Sequence, residues 1–123
     1  MTLSRQALGR AAEAAAAVFL QEAGFELLAR NYRRRLGELD LVARREDLLL
    51  VVEVRTRSSM AFGGAAASID ARKRAHIVRT TRLLLREHAA LARLRVRFDV
   101  IVVSELDAAL PRIEWIRHAF SAT

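Results

Sequence analysis

The feature that most constrains the fold is a pair of apolar segments on either side of a short polar turn. Residues 38–44 and 48–55 are apolar at alternate positions, which predicts two strands of a β-hairpin. A one-residue slip in register turns every side chain to the other face, so the two apolar sets share a face only if the loop has an even number of residues. The two sets are Leu39, Leu41 and Ala43 on the first strand and Leu50, Val52 and Val54 on the second.

The register of this hairpin decides which acidic side chains become neighbours. A two-residue loop at Glu46-Asp47 pairs Asp40 with Glu53, with Cβ atoms roughly 4.5–5.5 Å apart. The turn lacks an Asn-Gly or Asp-Gly signal, so a loop at Arg45-Glu46, which pairs Glu38 with Glu53, and a four-residue loop of the same parity stay open. Two like charges at this distance destabilise a sheet unless a cation or a raised pKa relieves them, and a hard divalent metal is the simplest such cation.

The bulk properties exclude several classes of protein. A chain of 123 residues is long enough for one domain with its own core, so we expect a single domain over residues 1–123. There is no cysteine, which excludes a disulfide framework, a thiolate metal site and a cysteine nucleophile. The longest apolar run, Leu48–Val52, is much shorter than a membrane span of roughly 20 residues, and the N-terminus lacks a signal-like apolar core. We therefore expect a cytoplasmic protein with no membrane association.

The net charge of +7 favours a polyanionic partner, and nucleic acid is the common one. Basic side chains end the first predicted strand and the hairpin. They also repeat every seven residues on the second predicted helix, where a solvated helix face is the alternative. Lys73 is the only lysine in the chain. The candidate nucleic-acid contacts are Arg33, Arg34, Arg35, Arg57 and Arg72.

Helix signals flank the strands. Ser4 is a plausible N-cap for a helix that runs to about Ala23, and Ser68 for a second helix that reaches about Leu91. The first helix has a predicted buried stripe with Glu13 on its flank, where a solvated glutamate is the alternative reading. The stripe consists of Leu8, Ala11, Ala12, Ala15 and Phe19. With further strands over residues 25–35, 96–103 and 113–120, the order predicts an α/β sandwich with a mixed sheet.

One face of the hairpin carries a candidate catalytic group. Asp40 lies on the first strand, and Glu53 and Arg55 lie two residues apart on the second. An acid beside an acid-x-base pair suits metal-assisted hydrolysis of a phosphodiester, in which carboxylates hold Mg²⁺ and a cation stabilises the developing charge. The alternative is a pair of cross-strand salt bridges between these carboxylates and Arg55.

These motifs resemble a known family. The resemblance covers about residues 4–103 and is to the YraN-like family of small bacterial proteins, in the restriction-endonuclease-like, or PD-(D/E)XK, nuclease superfamily. The layout is also similar to archaeal Holliday-junction resolvases. The motifs that carry the resemblance are Gly9-x-x-x-Glu13, Gly37-Glu38-Leu39-Asp40-Leu41, Val51-Val52-Glu53-Val54-Arg55-Thr56-Arg57 and Phe62-Gly63.

The resemblance implies a restriction-endonuclease-like three-layer core of helix, three-strand meander, helix and strand, with a mixed sheet. It also implies that Glu13, Asp40, Glu53 and the carbonyl of Val54 hold Mg²⁺ or Mn²⁺. We therefore expect a metal-dependent nuclease that acts on DNA rather than RNA, including branched or damaged DNA. The oligomeric state is left open, and a homodimer is compatible with the sequence.

The chain departs from the family pattern at position 55, where lysine is usual and this chain has Arg55. Arginine stays charged and can only stabilise an anion, whereas lysine can lose its proton when buried. Either Arg55 retains the charge stabilisation, or Lys73 reaches the site from the second helix. The alternative function is a non-catalytic nucleic-acid-binding protein that retains the nuclease fold.

Overall fold

The computed structural model describes residues 4–57, 64 and 66–122 of the chain. The Phe62-Gly63 motif lies outside the described residues. The helices and strands are α1 (Arg5–Glu22), β1 (Glu26–Arg34), β2 (Gly37–Arg45), β3 (Leu48–Thr56), α2 (Ala71–Glu87), β4 (Arg95–Ser104) and β5 (Arg112–Phe120). Single 3₁₀ turns over Ala66–Ser68 and Ala89–Leu91 flank α2.

The strands form one five-stranded sheet in the order β1-β2-β3-β4-β5. β3 and β4 are parallel and the other neighbours are antiparallel, so the sheet is mixed. Because a parallel connection needs a crossover, α2 lies on one face of the sheet, while α1 packs across the other. These three layers, with the order helix, meander, helix and strand, confirm the predicted restriction-endonuclease-like fold. None of the described helices combines the length and apolar character needed to span a membrane.

The hairpin has the register predicted for a two-residue loop. Leu41 pairs with Val52 and Arg45 with Leu48, which leaves Glu46-Asp47 as the loop and excludes the shifted alternatives. Glu46 adopts a left-handed φ of 54° without being glycine. The neighbouring strand holds this turn, because the Arg95 N–H donates to the Asp47 carbonyl at 2.8 Å and the guanidinium pairs with its carboxylate at 3.0 Å.

The sheet buries both of its faces, so the hairpin has no solvent face. Leu41, Leu50 and Val52 pack in the cluster beneath α1, as the alternation predicts. Val42, Val51 and Leu39 pack in the other cluster, beneath α2. The prediction that Leu39 shares a face with Leu41 was therefore wrong, because the alternation of β2 breaks at Asp40, where the strand leaves its regular ladder.

Both long helices begin with an N-cap residue, but only one of the two caps is the residue that the sequence predicts. The Ser4 side chain accepts the Ala7 N–H at 3.1 Å, as predicted. α2 is capped by Asp70, whose carboxylate accepts the Lys73 N–H at 2.8 Å, and the prediction of a Ser68 cap was wrong. On α1 the buried face is rotated from the predicted stripe, of which only Ala12 is fully buried. The buried residues of α1 are Ala12, Ala16, Ala17 and Leu20.

Candidate active site

The candidate site lies where strands β2 and β3 separate. Their paired residues end at Leu41 and Val52, and one step further along the same register stand Asp40 and Glu53. Carboxylates replace the backbone ladder there. The Val54 N–H donates to Asp40 Oδ2 at 2.9 Å, and the Asp40 N–H donates a long 3.4 Å bond to Glu53 Oε2. The strand separation therefore fixes the position of both acids through the backbone.

Both acids are removed from solvent. Asp40 is 8% exposed and Glu53 is 1% exposed. Burial, followed by the charge of Asp40, raises the pKa of Glu53 to about 8, and the cations Lys73 and Arg55 act against this rise. Burial also raises the pKa of Asp40, opposed by the Val54 N–H and increased by the charge of Glu13. The two carboxylates thus share one poorly solvated site.

Two cations approach the pair from different elements. One guanidinium nitrogen of Arg55, Nη1, lies 3.9 Å from Asp40 Oδ2 and 3.9 Å from Glu53 Oε1. Lys73 Nζ lies 3.7 Å from the same Glu53 oxygen. At these distances the two cations offset the negative charge of the carboxylates, but they are too far away to form hydrogen bonds with them. Glu53 Oε1 is buried and accepts no hydrogen bond from the described residues.

Helix α2 reaches the site because it packs tightly on the turn between β1 and β2. His76 Nδ1 lies 2.7 Å from the Leu36 carbonyl oxygen. A Cβ on Gly37 would lie 2.9 Å from Thr80 Oγ1, so the glycine of the Gly-Glu-Leu-Asp motif is required by this packing. The Asp70 cap then fixes the first turn of α2, which carries Lys73 to Glu53.

Glu13 stands beside the pair rather than within it. Its Oε1 accepts a hydrogen bond from Asn31 Nδ2 at 3.0 Å. Together with Gly9, Val54 and Arg55 it lines a cleft of about 490 Å³. Sequence reasoning missed Asn31, and the available signal was an asparagine within a strand, since this residue type favours the positive φ that it adopts here, 52°.

The donor set fits a hard divalent cation in chemistry. It consists of carboxylate and carbonyl oxygens, the ligands that Mg²⁺ and Mn²⁺ prefer, and it includes Glu53 Oε1, a buried acceptor that has no donor within the described part of the chain. The ligands are not already gathered, since the described residues contain no cluster of three His, Cys, Asp or Glu side chains poised around one point. The carbonyl oxygen of this donor set, that of Val54, accepts a hydrogen bond from Arg55 Nη1 at 3.0 Å.

The five candidate nucleic-acid arginines lie at the same end of the sheet as the acids, but they differ in their partners. Arg33 pairs with Glu38 at 2.7 Å. Arg34 pairs with Glu87 at 3.1 Å and stacks on the Tyr32 ring, whose hydroxyl donates to the same carboxylate. All five are exposed, and the ion pairs distinguish Arg33 and Arg34 from Arg35, Arg57 and Arg72, the last of which lines a groove beside Lys73.

Comparison with known proteins places these residues within a family. The model of the uncharacterised protein family UPF0102 matches residues 12–103, from α1 to β4, and so includes the acids and both cations. A UPF0102 protein of Xanthomonas campestris is 48% identical over 98% of this chain and 96% of its own length. One from Ectopseudomonas mendocina is 44% identical over 97% and 98%. One from Nitrosomonas europaea is 47% identical over 91% and 92%. The chain therefore belongs to the UPF0102 family, the YraN-like family that its motifs resemble.

Proposed function

We propose that the chain is a divalent-metal-dependent nuclease that cleaves DNA. The observation that carries this proposal is the buried pair Asp40 and Glu53 at the separation of two strands, with an acceptor oxygen to which none of the described residues donates. Such a pair is costly for a merely structural role, because buried polar atoms are normally hydrogen-bonded. Strongly perturbed carboxylates beside a cleft are typical of active sites.

The residues that would hold Mg²⁺ or Mn²⁺ are Asp40, Glu53, the Val54 carbonyl and Glu13. When bound, the ion would supply Lewis-acid polarisation of the phosphate and a more acidic water. Glu13 would contribute from the cleft, where its hydrogen bond to Asn31 already orients the carboxylate. A hydrogen bond from a neighbouring side chain to a metal-binding carboxylate holds that carboxylate in the orientation needed for binding.

Arg55 and Lys73 have separate roles in this proposal. The Arg55 guanidinium, which lines the cleft, would contact the phosphate and stabilise the charge that develops there. Lys73 is half-exposed beside Glu53 and would orient the attacking water from the side of α2. The basic net charge would hold the polyanion against this end of the sheet.

The test is cleavage of linear, nicked and four-way DNA, with single-stranded RNA alongside, in Mg²⁺ and in Mn²⁺. We expect the wild type to cut DNA and Asp40→Asn and Glu53→Gln to lose activity by about 100-fold or more, since even outer partners of metal ligands cost 10–100-fold. Glu46→Gln removes an exposed acid at the opposite end of the same hairpin and serves as the matched control. Equal cleavage by all four proteins would refute the proposal.

A non-catalytic nucleic-acid-binding protein is the second candidate, and the residue at position 55 favours it. Arg55 occupies the place of the usual lysine and bonds the Val54 carbonyl. In this case the wild type binds DNA without cutting it, and Arg55→Lys gains metal-dependent cleavage that Asp40→Asn in the same background abolishes. Wild-type cleavage would exclude this candidate.

A further inference from the structure

A single nitrogen of Arg55 faces three of the four oxygens that we assign to the metal. Arg55 Nη1 donates a hydrogen bond to the Val54 carbonyl oxygen at 3.0 Å and lies 3.9 Å from both Asp40 Oδ2 and Glu53 Oε1. The side chain is 13% exposed, so this contact is formed largely out of water. The nitrogen thus lies among the oxygens of the proposed metal site.

We propose that Arg55 is an internal counter-cation that takes the place of the divalent ion, so that guanidinium and metal compete for the same oxygens. The inference rests on the proposed function, because it assumes the metal site at Asp40 and Glu53. A divalent ion needs these oxygens at about 2.0–2.6 Å. A guanidinium nitrogen bonded to one of them and facing the other two would clash with the ion and repel it, so Arg55 must move when the ion binds.

A second arginine in the sheet shows that this is not an ordinary structural ion pair. The Arg97 guanidinium donates two hydrogen bonds of 2.9 Å to the Asp99 carboxylate, the bidentate geometry that is typical of structural pairs. Arg55 makes no such fork with Asp40 or Glu53, and Glu53 Oε1 accepts no hydrogen bond from the described residues. Arg55 therefore offsets the charge of the acids without forming a hydrogen bond to Glu53 Oε1, whose lone pairs remain available to a metal.

The displaced guanidinium has a place to go. Arg55 already lines the cleft beside α1, together with Arg5 and Thr56. Movement into this cleft would bring the charge to where the proposed function places the phosphate. Metal binding and phosphate binding would then strengthen each other, because each favours the displaced position of Arg55.

The first test measures Mn²⁺ affinity directly, by electron paramagnetic resonance of the free ion, in the absence of DNA. Removing the competing charge in Arg55→Gln should lower the dissociation constant about tenfold or more. Arg93→Gln, which removes an exposed positive charge on the loop before β4, should bind Mn²⁺ as the wild type does. Equal or weaker binding by Arg55→Gln would overturn the inference while leaving a wild-type metal site intact. If neither the wild type nor Arg55→Gln binds millimolar Mn²⁺, the metal site itself fails, and the proposed function fails with it.

The second test uses the wild type and so does not depend on the folding of a variant. Nuclear magnetic resonance of arginine side chains during a Mg²⁺ titration should show the Arg55 Nε–Hε signal shifting together with the backbone amides of Asp40 and Val54, which are bonded to the two carboxylates. The Arg97 signal is the internal control. Amide shifts with a stationary Arg55 signal would contradict displacement.

Discussion

Two buried acids lie on neighbouring strands of the sheet, and they are satisfied very differently. Asp99 on β4 is 0% exposed and Glu53 on β3 is 1% exposed, so burial does not distinguish them. Asp99 accepts hydrogen bonds of 2.7–2.9 Å from the Arg97 guanidinium, Trp115 Nε1 and the His118 N–H. Glu53 accepts one 3.4 Å bond and keeps an oxygen that no described residue bonds.

The comparison separates a structural acid from a candidate functional one. A buried carboxylate whose lone pairs are all bonded fixes the strands around it, here β4 to β5. A buried carboxylate with a free lone pair beside another acid costs folding free energy, and such sites are typical of function. The satisfaction of hydrogen bonds, rather than burial or residue type, is what distinguishes Asp99 from Glu53.

Matched amide substitutions should give the largest difference between the two acids. Asp99→Asn leaves the partly buried Arg97 guanidinium without its counter-ion, so we expect the free energy of unfolding to fall by about 3 kcal/mol, the lower end of the range for a broken buried pair. At pH 7 folding must return a proton to Glu53, whose pKa is raised to about 8, whereas glutamine needs none, so Glu53→Gln should leave that free energy unchanged or raise it. Urea denaturation at pH 7 with a chelator present measures both. Similar losses in the two variants would mean that Glu53 is structural as well.

The pH dependence of stability should come from the Glu53 site. Its pKa is raised from 4.5 to about 8 in the folded state, so between these values the native protein keeps a proton that the unfolded chain has lost. The stability that this proton provides is complete below about pH 4.5 and is lost as the pH rises through about 8. For the metal-free protein we expect a fall of up to about 1.4 kcal/mol per pH unit in this window.

Denaturation at several pH values between 5 and 8 measures this slope. Glu53→Gln has no proton to lose at this position and should flatten the curve, apart from what the raised pKa of Asp40 contributes with the same sign. Asp99→Asn should keep the wild-type slope at its lower stability. A curve that Glu53→Gln leaves unchanged would show that the raised pKa is not that of Glu53.

The sequence predicted the parts of the fold that depend on local pattern. The even-loop rule limited the hairpin to a few registers, and the observed register, with a two-residue loop at Glu46-Asp47, is one of them. This register sets Asp40 and Glu53 side by side. Lys73, the only lysine of the chain, lies next to Glu53. These relations depend on spacing along one strand or helix turn, which sequence periodicity records.

The remaining features depend on contacts between distant elements. α1 is so rich in alanine that several of its faces are equally apolar, so tertiary packing alone selected Ala16 and Ala17 for burial. Ser68 and Asp70 are both good helix caps, and the sequence offered no means of choosing between them. The broken alternation at Leu39 arises because the Asp40 carboxylate takes a backbone N–H from the next strand, a bond that hydrophobic pattern does not encode.

Two glycines of the family motifs should respond in opposite ways to alanine. Gly37 has a φ of 157° and no room against Thr80, so Gly37→Ala should lower the free energy of unfolding by about 1–3 kcal/mol. Gly9 lies in the middle of α1 with no atom within 4 Å of an added Cβ. Gly9→Ala should therefore raise that free energy by about 0.5–1 kcal/mol, the usual gain in helix propensity.

The same pair separates packing from substrate access. Gly9 lines the cleft that holds Glu13 and Arg55, so Gly9→Ala should weaken DNA cleavage although it stabilises the protein. Thermal denaturation and cleavage rates of the same preparation measure the two effects. A stabilised Gly9→Ala protein with full activity would exclude this cleft as the path of the DNA backbone.

The smallest expected effect distinguishes, in DNA binding, arginines that hold an ion pair from arginines that hold none among the described residues. The logarithm of affinity falls with the logarithm of salt at about 0.9 per phosphate neutralised. Arg57 and Arg72 are exposed, so replacing both with alanine should reduce the slope by about two and weaken all duplex sequences alike. Arg33 and Arg34 already pair with Glu38 and Glu87, so replacing those two should reduce it by about one or less. Each of these two arginines would have to give up an internal counter-ion to reach a phosphate, which offsets the gain from counterion release.

Fluorescence anisotropy with one labelled duplex at several salt concentrations measures both double variants. Equal reductions would show that the ion pairs of Arg33 and Arg34 open on binding.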